Sequence, residues 1–93
     1  MTDKINLGII SYAHPHASRY AATIVASRRA NLVGIAGLGG NADLAIKEAE
    51  RYGVPYHTDY RDLLAQDDLV GVYVGTEPRR HLEVVQEATV QGK

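Results

Sequence analysis

The stretch INLGIISYAHPHASRYAATI, from Ile5 to Ile24, decides how the rest of the chain is interpreted. It opens with an apolar run, Leu7–Ile10, that ends abruptly at Ser11, and an apolar run bounded by a turn is typical of a buried strand. A helix-like pattern begins after the turn. Nucleotide-binding folds carry glycines in such a strand–turn–helix, yet this turn reads Ser-Tyr-Ala-His-Pro-His-Ala. It is a phosphate-binding turn without glycines, a histidine metal site or an ordinary connector.

The rest of the chain alternates between strands and helices. Apolar periodicity and turn residues predict strands at Ile5–Ile10, Leu32–Leu38, Pro55–Thr58 and Leu69–Gly75. Helices are predicted at Ser18–Ser27, Asn41–Tyr52, Tyr60–Ala65 and Arg79–Gln91. This order predicts an α/β fold: a partial, Rossmann-type doubly wound parallel sheet of four strands in the order 3-2-1-4, with helices on both faces.

The helix ends and faces can also be predicted. Asn41 is expected to cap the second helix, Gly53 to end it, and Thr58 or Asp59 to cap the third. The last helix is expected to pack inward through Leu82, Val85 and Ala88 or Thr89.

The composition is that of one ordinary soluble domain of 93 residues, with 45% apolar and 23% charged residues. A net charge of −1 without a basic stripe argues against a nucleic-acid partner. The lack of cysteine excludes disulfides and thiolate zinc sites. No signal peptide or membrane-spanning run is visible, so we expect a cytoplasmic protein without a membrane partner.

The predicted strand order places the apolar strand Leu69–Gly75 at an open edge of the sheet. Exposed apolar edges invite pairing with another chain. We therefore expect either a fragment of a larger domain or a homo-oligomer that covers this edge.

Four segments resemble, in this order and spacing, the N-terminal dinucleotide-binding domain of the glucose–fructose oxidoreductase / inositol dehydrogenase (Gfo/Idh/MocA) family. They are LGIISYAH, AERYGVPYHTDYRDLL, DLVGVYVGTEPRRHLEVV and ATVQGK. The resemblance implies a single N-terminal NAD(P)-binding Rossmann-type domain, or a fragment of one, over residues 1–93, with the substrate domain absent. The family's catalytic lysine, in a Glu-Lys-Pro motif, and its proton-transferring histidine would follow this stretch, so these 93 residues alone lack the catalytic residues.

The resemblance implies an oxidoreductase that moves a hydride between NAD or NADP and a sugar, polyol or related carbonyl compound. The partners would be the dinucleotide, a small-molecule substrate held by the missing second domain, and further copies of the chain. The residues expected to line the cofactor site are Ser11, Tyr12, Ala13, His14, Pro15, His16, Gly37, Leu38, Thr76, Glu77, Pro78 and His81. The alternative is a non-catalytic nucleotide-sensing or interaction module with a degenerate glycine turn.

Two departures from the family pattern bear on the cofactor. Ser11 and Ala13 stand at the first two glycines of the turn, and the third is matched by His16 directly or by Ala17 with one inserted residue. Ala17 is preferred because it is small enough for the helix to approach the strand. Gly37 stands where a carboxylate usually accepts hydrogen bonds from the adenosine ribose, so neither NAD nor NADP is favoured.

Two further interpretations concern polar side chains. Glu77 is expected to face ribose hydroxyls or the neighbouring arginines, or else to favour the positive end of the last helix. A metal site would need four suitable ligands, and His14 and His16 in one turn, with His57 and His81 elsewhere, do not make one. We therefore expect no metal and interpret the histidines as surface or cofactor-lining residues.

Overall fold

A computed structural model of the chain describes residues 4–13, 16–38, 40–76 and 78–92, with the backbone alone for residues 78–83. The elements are β1 (Ile5–Ile10), α1 (Ala17–Ala26), β2 (Ala30–Ala36), α2 (Ala42–Tyr52), β3 (Tyr56–His57), α3 (Tyr60–Leu64), β4 (Gly71–Val74) and α4 (Pro78–Val90). All strand pairs are parallel, and the sheet order is β3-β2-β1-β4. The predicted 3-2-1-4 order is confirmed. None of the described helices has the length and hydropathy needed to cross a bilayer.

Two apolar clusters, one on each face of the sheet, hold the layers together. The helices α1 and α2 contribute Ala17, Ala21, Ile24, Ala45 and Ala49 to one cluster, where they meet Ile9 and Ile35 of the sheet. The helices α3 and α4 contribute Tyr60, Leu63, Leu64, Val84 and Ala88 to the other, where they meet Ile10 and Ala36. Neighbouring strand residues thus point to opposite faces and both faces are covered, as a buried parallel sheet requires.

Strand pairing moves several boundaries away from the predicted ones. β2 begins at Ala30 because Ile5 of β1 pairs with that residue, two positions before the predicted start. β4 is shorter than predicted, because only Leu7–Ile10 of β1 lie opposite it, in register with Gly71–Val74.

Two predictions about helix side chains are wrong. Asn41 has left-handed backbone angles (φ 62°) and makes no side-chain capping bond; its amide instead donates to the Tyr12 carbonyl at 3.0 Å. Among the described side chains of α4, Val84 and Ala88 face inward, which confirms Ala88, whereas Val85 faces out. Residues four apart share one face of a helix, and docking of α4 buries the face of Val84 and Ala88. Leu82 lies outside the described side chains.

The predicted caps Gly53 and Asp59 are confirmed. Gly53 ends α2 at φ 67°, and its N–H bonds back to Ala49 and Glu50 carbonyls. A side-chain oxygen of Asp59 accepts from the Arg61 N–H at 2.9 Å and begins α3.

Leu63 of α3 fills a notch that two glycines leave in the sheet. A Cβ built on Gly8 of β1 would lie 3.0 Å from Leu63 Cδ2, and one built on Gly34 of β2 would lie 2.7 Å from Leu63 Cδ1. These three residues, the glycine notch, let α3 sit close against the centre of the sheet.

Candidate functional site

The turn after β1 lies between the ends of two neighbouring strands. The Ser11 N–H donates to the Ala36 carbonyl at the end of β2, at 2.8 Å. On the other side, the Gly75 N–H after β4 donates to the Ile10 carbonyl, also at 2.8 Å. Strand order reverses between β1 and β4, and open parallel sheets bind ligands in the crevice at such a point. Topology therefore makes the Ser11 turn one wall of the candidate site.

Ser11 keeps a glycine-like backbone although it is not glycine. Its φ is 74°, a left-handed angle that costs an L-residue on the order of 1–2 kcal/mol. Its hydroxyl makes two hydrogen bonds that offset this cost: Oγ donates to the Leu38 carbonyl at 2.5 Å and accepts from the Ala13 N–H at 3.1 Å. Ser11 thus has a backbone angle that glycine favours, and its side chain ties it to the loop after β2.

Small residues let three loops meet at this turn. A Cβ built on Gly75 would lie 2.6 Å from the Ser11 carbonyl oxygen and 3.4 Å from Ala17 Cβ. A Cβ on Gly40, after β2, would lie 3.9 Å from Ala13 Cβ. Ala17, fully buried at the start of α1, occupies the place preferred above for the third glycine. The Ser11 turn and the loops after β2 and β4 are therefore packed closely together at the carboxyl ends of their strands.

The start of α1 favours an anion. This ten-residue helix has no acidic residue in its first turn, and its N-cap, His16, makes no side-chain capping bond. Unsatisfied N–H groups and the helix dipole at such an end attract phosphate. Together with the small-residue crevice, this end of α1 fits the pyrophosphate of a dinucleotide.

Thr76 is the clearest orphaned polar group at the crevice. The residue is 5% exposed, and its Oγ1 is buried without a hydrogen-bond partner among the described residues. Buried hydroxyls are nearly always paired, so this oxygen calls for a partner that the described part of the chain does not provide. A polar cofactor group in the crevice would provide one.

Tyr12, by contrast, turns away from the crevice. Its ring is buried in the cluster beneath α1 and α2, and its hydroxyl has no partner among the described residues. Burial raises the pKa of the Tyr12 hydroxyl far above its usual range, and the Glu48 carboxylate raises it further. Tyr12 was expected to line the cofactor site, but only its backbone lies at the turn.

At the end of β2, the side chain of Tyr56 lies against Gly37. Gly37 is buried, and a Cβ built on it would overlap the hydroxyl oxygen of Tyr56. Leu38, half-buried, offers its carbonyl to Ser11. The structure therefore brings Gly37 and Leu38 to the Ser11 turn, as expected, and adds Tyr56 from β3.

Three of the remaining expected residues lie near the starts of α1 and α4. His16 is exposed at the start of α1, and Pro78 and His81 lie in the first two turns of α4 with their side chains outside the description. His14, Pro15 and Glu77 lie outside the described residues. In the described ranges, no three His, Asp or Glu side chains are placed to hold a metal ion.

Sequence reasoning missed Gly40, Asn41, Tyr56 and Gly75 as residues of this region. Gly40 and Gly75 carried a signal, because Gly40 follows one predicted strand and Gly75 is the last residue of another. Nothing in the sequence places the Tyr56 hydroxyl over Gly37 or the Asn41 amide on Tyr12.

The fold recurs in solved structures of dehydrogenases and reductases. The 3-ketoreductase KijD10 from Actinomadura kijaniata, in complex with NADP and TDP-benzene, is 28% identical, with a TM-score of 0.83 over 98% of this chain and 27% of its own. GenD2 from gentamicin A biosynthesis, in complex with NAD, is 18% identical, with a TM-score of 0.88 over 100% of this chain and 26% of its own. Apo scyllo-inositol dehydrogenase from Lactobacillus casei is 22% identical, with a TM-score of 0.82 over 100% of this chain and 28% of its own.

The chain thus spans about a quarter of the length of these proteins. No protein of curated function matches the sequence significantly. Residues 5–93 match the family described as "Oxidoreductase family, NAD-binding Rossmann fold". The expected NAD or NADP cofactor is therefore confirmed at the level of the family, which is NAD-binding, and the KijD10 and GenD2 structures hold NADP and NAD. The chain belongs to the Gfo/Idh/MocA oxidoreductase family, of which it carries the NAD-binding Rossmann fold.

Proposed function

We propose that this chain is the dinucleotide-binding part of a cytoplasmic NAD(P)-dependent oxidoreductase acting on a sugar, polyol or related carbonyl compound. The observation that carries the proposal is the φ of 74° at Ser11, because this is a backbone angle that glycine adopts readily, at the position where the family has its first glycine. The KijD10 ketoreductase and the inositol dehydrogenase support the substrate class.

Each part of the crevice has a distinct task in this proposal. Backbone N–H groups at the start of α1 hold the pyrophosphate, and the small residues Ala13 and Ala17 leave room for it. The loop at Gly37 and Leu38 faces the adenosine ribose. Thr76, across the crevice, orients the nicotinamide end through its buried hydroxyl. The bound cofactor supplies or accepts the hydride, and a second domain would supply the proton and the substrate contacts.

The non-catalytic module remains the second candidate, and one contact favours it. The Ser11 hydroxyl binds the Ala13 N–H at 3.1 Å, which removes one backbone donor from the turn. Such a turn would hold phosphate more weakly than a turn of three glycines.

Equilibrium titration with NADH and NADPH tests dinucleotide binding directly. We expect the intact protein that carries this chain to bind at least one of them with a dissociation constant below about 1 mM, equivalent to some 4 kcal/mol. Ala13→Leu should weaken binding by roughly tenfold or more, an effect of about 1.4 kcal/mol, because the larger side chain fills the gap beside Gly40.

Ala22→Leu is the matched control, since Ala22 is exposed on α1 and the substitution adds the same side chain outside the crevice. It should leave the affinity unchanged. If neither NADH nor NADPH binds at millimolar concentration, the cofactor proposal is wrong. Binding without hydride transfer to any sugar or polyol would favour the non-catalytic module.

We also propose a homo-oligomer in which β4 contributes to the contact. In the described sheet β4 pairs with β1 alone, and Val70 just before it is 57% exposed. Tyr73 of β4 stacks on Tyr20 of α1 with ring centroids 4.2 Å apart, which adds aromatic surface beside the edge.

Light scattering of the 93-residue chain at high concentration measures this association. We expect a mass above that of the monomer, and we expect Val70→Lys to shift it toward the monomer because a charge at a strand edge opposes pairing. Val90→Lys, at an 80% exposed position at the end of α4, should have no effect. A monomeric wild-type chain would contradict the proposal.

A further inference from the structure

We propose that Tyr56 faces the adenosine ribose in this chain, in place of the carboxylate that usually ends the second strand, and that the site therefore does not discriminate NADP from NAD by charge. This inference rests on the proposed function. Tyr56 lies in β3, and the resemblance did not identify it as a residue of the cofactor site.

The geometry at Gly37 is the first step. Pairing of β2 with β3 brings the Gly37 N–H to the His57 carbonyl at 3.1 Å, next to Tyr56 in the chain. A Cβ built on Gly37 would overlap the Tyr56 hydroxyl oxygen and would lie 3.0 Å from Cζ and 3.3 Å from Cε1. The phenol end of Tyr56 thus fills the direction in which a side chain at position 37 would leave the backbone.

The second step is the position of this phenol relative to the phosphate turn. Leu38 directly follows Gly37, and its backbone carbonyl accepts a hydrogen bond from the Ser11 hydroxyl. This bond holds the end of β2 and the turn together. In sheets of this kind the ribose lies at the end of the second strand when the pyrophosphate lies at the first helix. The Tyr56 ring is half-buried against the cluster around Ile35, which fixes the direction of its hydroxyl.

The third step is charge. A carboxylate accepts hydrogen bonds from the ribose 2′-hydroxyl but repels a 2′-phosphate at short range. A neutral phenol can accept from the hydroxyl or donate to the phosphate. The first turn of α2, after this loop, carries the exposed Asp43, and Lys47 follows one turn later on the same helix, so that helix start offers one side chain of each charge. Neither cofactor is strongly disfavoured.

Titration of the intact protein with NADH and with NADPH tests this assignment. We expect the two dissociation constants to agree within about tenfold, since position 37, where the usual carboxylate would stand, is a glycine. Tyr56→Phe keeps the ring and removes the hydroxyl, and it should weaken both complexes by roughly two- to tenfold, the effect of one neutral hydrogen bond. Tyr52→Phe, a half-buried tyrosine on α2 packed against the same cluster, is the matched control and should change neither affinity.

A second variant restores the usual charge. Gly37→Asp combined with Tyr56→Ala gives the carboxylate the space that the phenol now fills, and it should weaken NADPH relative to NADH by about tenfold or more. Circular dichroism shows whether each variant is folded. If the double variant does not fold, the comparison of Tyr56→Phe with the wild-type protein still tests the assignment.

The outcomes distinguish a failure of the proposed function from a failure of the Tyr56 assignment. If the wild-type protein binds neither cofactor, the proposed function fails. If it binds one more than about tenfold better than the other, or if Tyr56→Phe changes neither affinity, the assignment of Tyr56 is wrong while dinucleotide binding stands.

Discussion

Replacing Gly75 by alanine will destabilise the chain by about 2–3 kcal/mol and weaken cofactor binding as well. The new Cβ would lie 2.6 Å from the Ser11 carbonyl oxygen, a backbone atom that cannot rotate away, so β4 or the turn must shift. Because the same turn forms the crevice, the shift should reach the cofactor site. Urea unfolding gives the stability change, and NADH titration of the intact protein gives the change in affinity.

Gly71→Ala, at the start of β4, is the control. A Cβ there would meet nothing closer than Leu7 Cδ2 at 3.5 Å, an ordinary contact, so we expect a change within about 0.5 kcal/mol. Equal losses at Gly71 and Gly75 would mean that the cost comes from strand propensity and that the approach of Ser11 to Gly75 plays no part.

Leu63→Ala will have the largest effect on stability, a loss of roughly 3–5 kcal/mol. Leu63 is fully buried, and its two methyl groups fill the glycine notch formed with Gly8 and Gly34. Removing them leaves a cavity that the glycines, lacking side chains, cannot fill. Chemical or thermal unfolding of the purified chain measures the effect.

Leu44→Ala removes the same atoms from α2, where Leu44 is 38% exposed, and should cost less than about 1.5 kcal/mol, because little buried surface is lost. A loss at Leu63 as small as that at Leu44 would show that α3 contributes little to the core and would contradict the notch as described.

The fold could be predicted because it depends on the order of the elements. Alternating strands and helices with right-handed crossovers leave few sheet orders, and 3-2-1-4 is one of them. The inward face of α4 could not be predicted, because Val84 with Ala88 and Val85 with Thr89 are both helical stripes and only docking selects between them. Strand ends likewise depended on partners far along the chain, such as Ala30 opposite Ile5.

The location of the candidate site could be predicted, whereas its local shape could not. Strand order alone places the Ser11 turn opposite the loop that begins at Thr76. A positive φ at a serine runs against intrinsic preference, and it depends on a hydrogen bond to Leu38, 27 residues away. Tyr56 is likewise absent from the expected site residues, because the sequence does not show which residue lies opposite Gly37.

The glycine notch also limits how the sequence of this domain can change over generations. A methyl group at Gly34 would collide with Leu63, whereas a smaller residue at position 63 would make room for it. Substitutions at positions 8, 34 and 63 are therefore expected to be non-additive, each altering the cost of the others. Distant relatives should thus change these three positions together, and should retain glycines there as long as they retain the leucine.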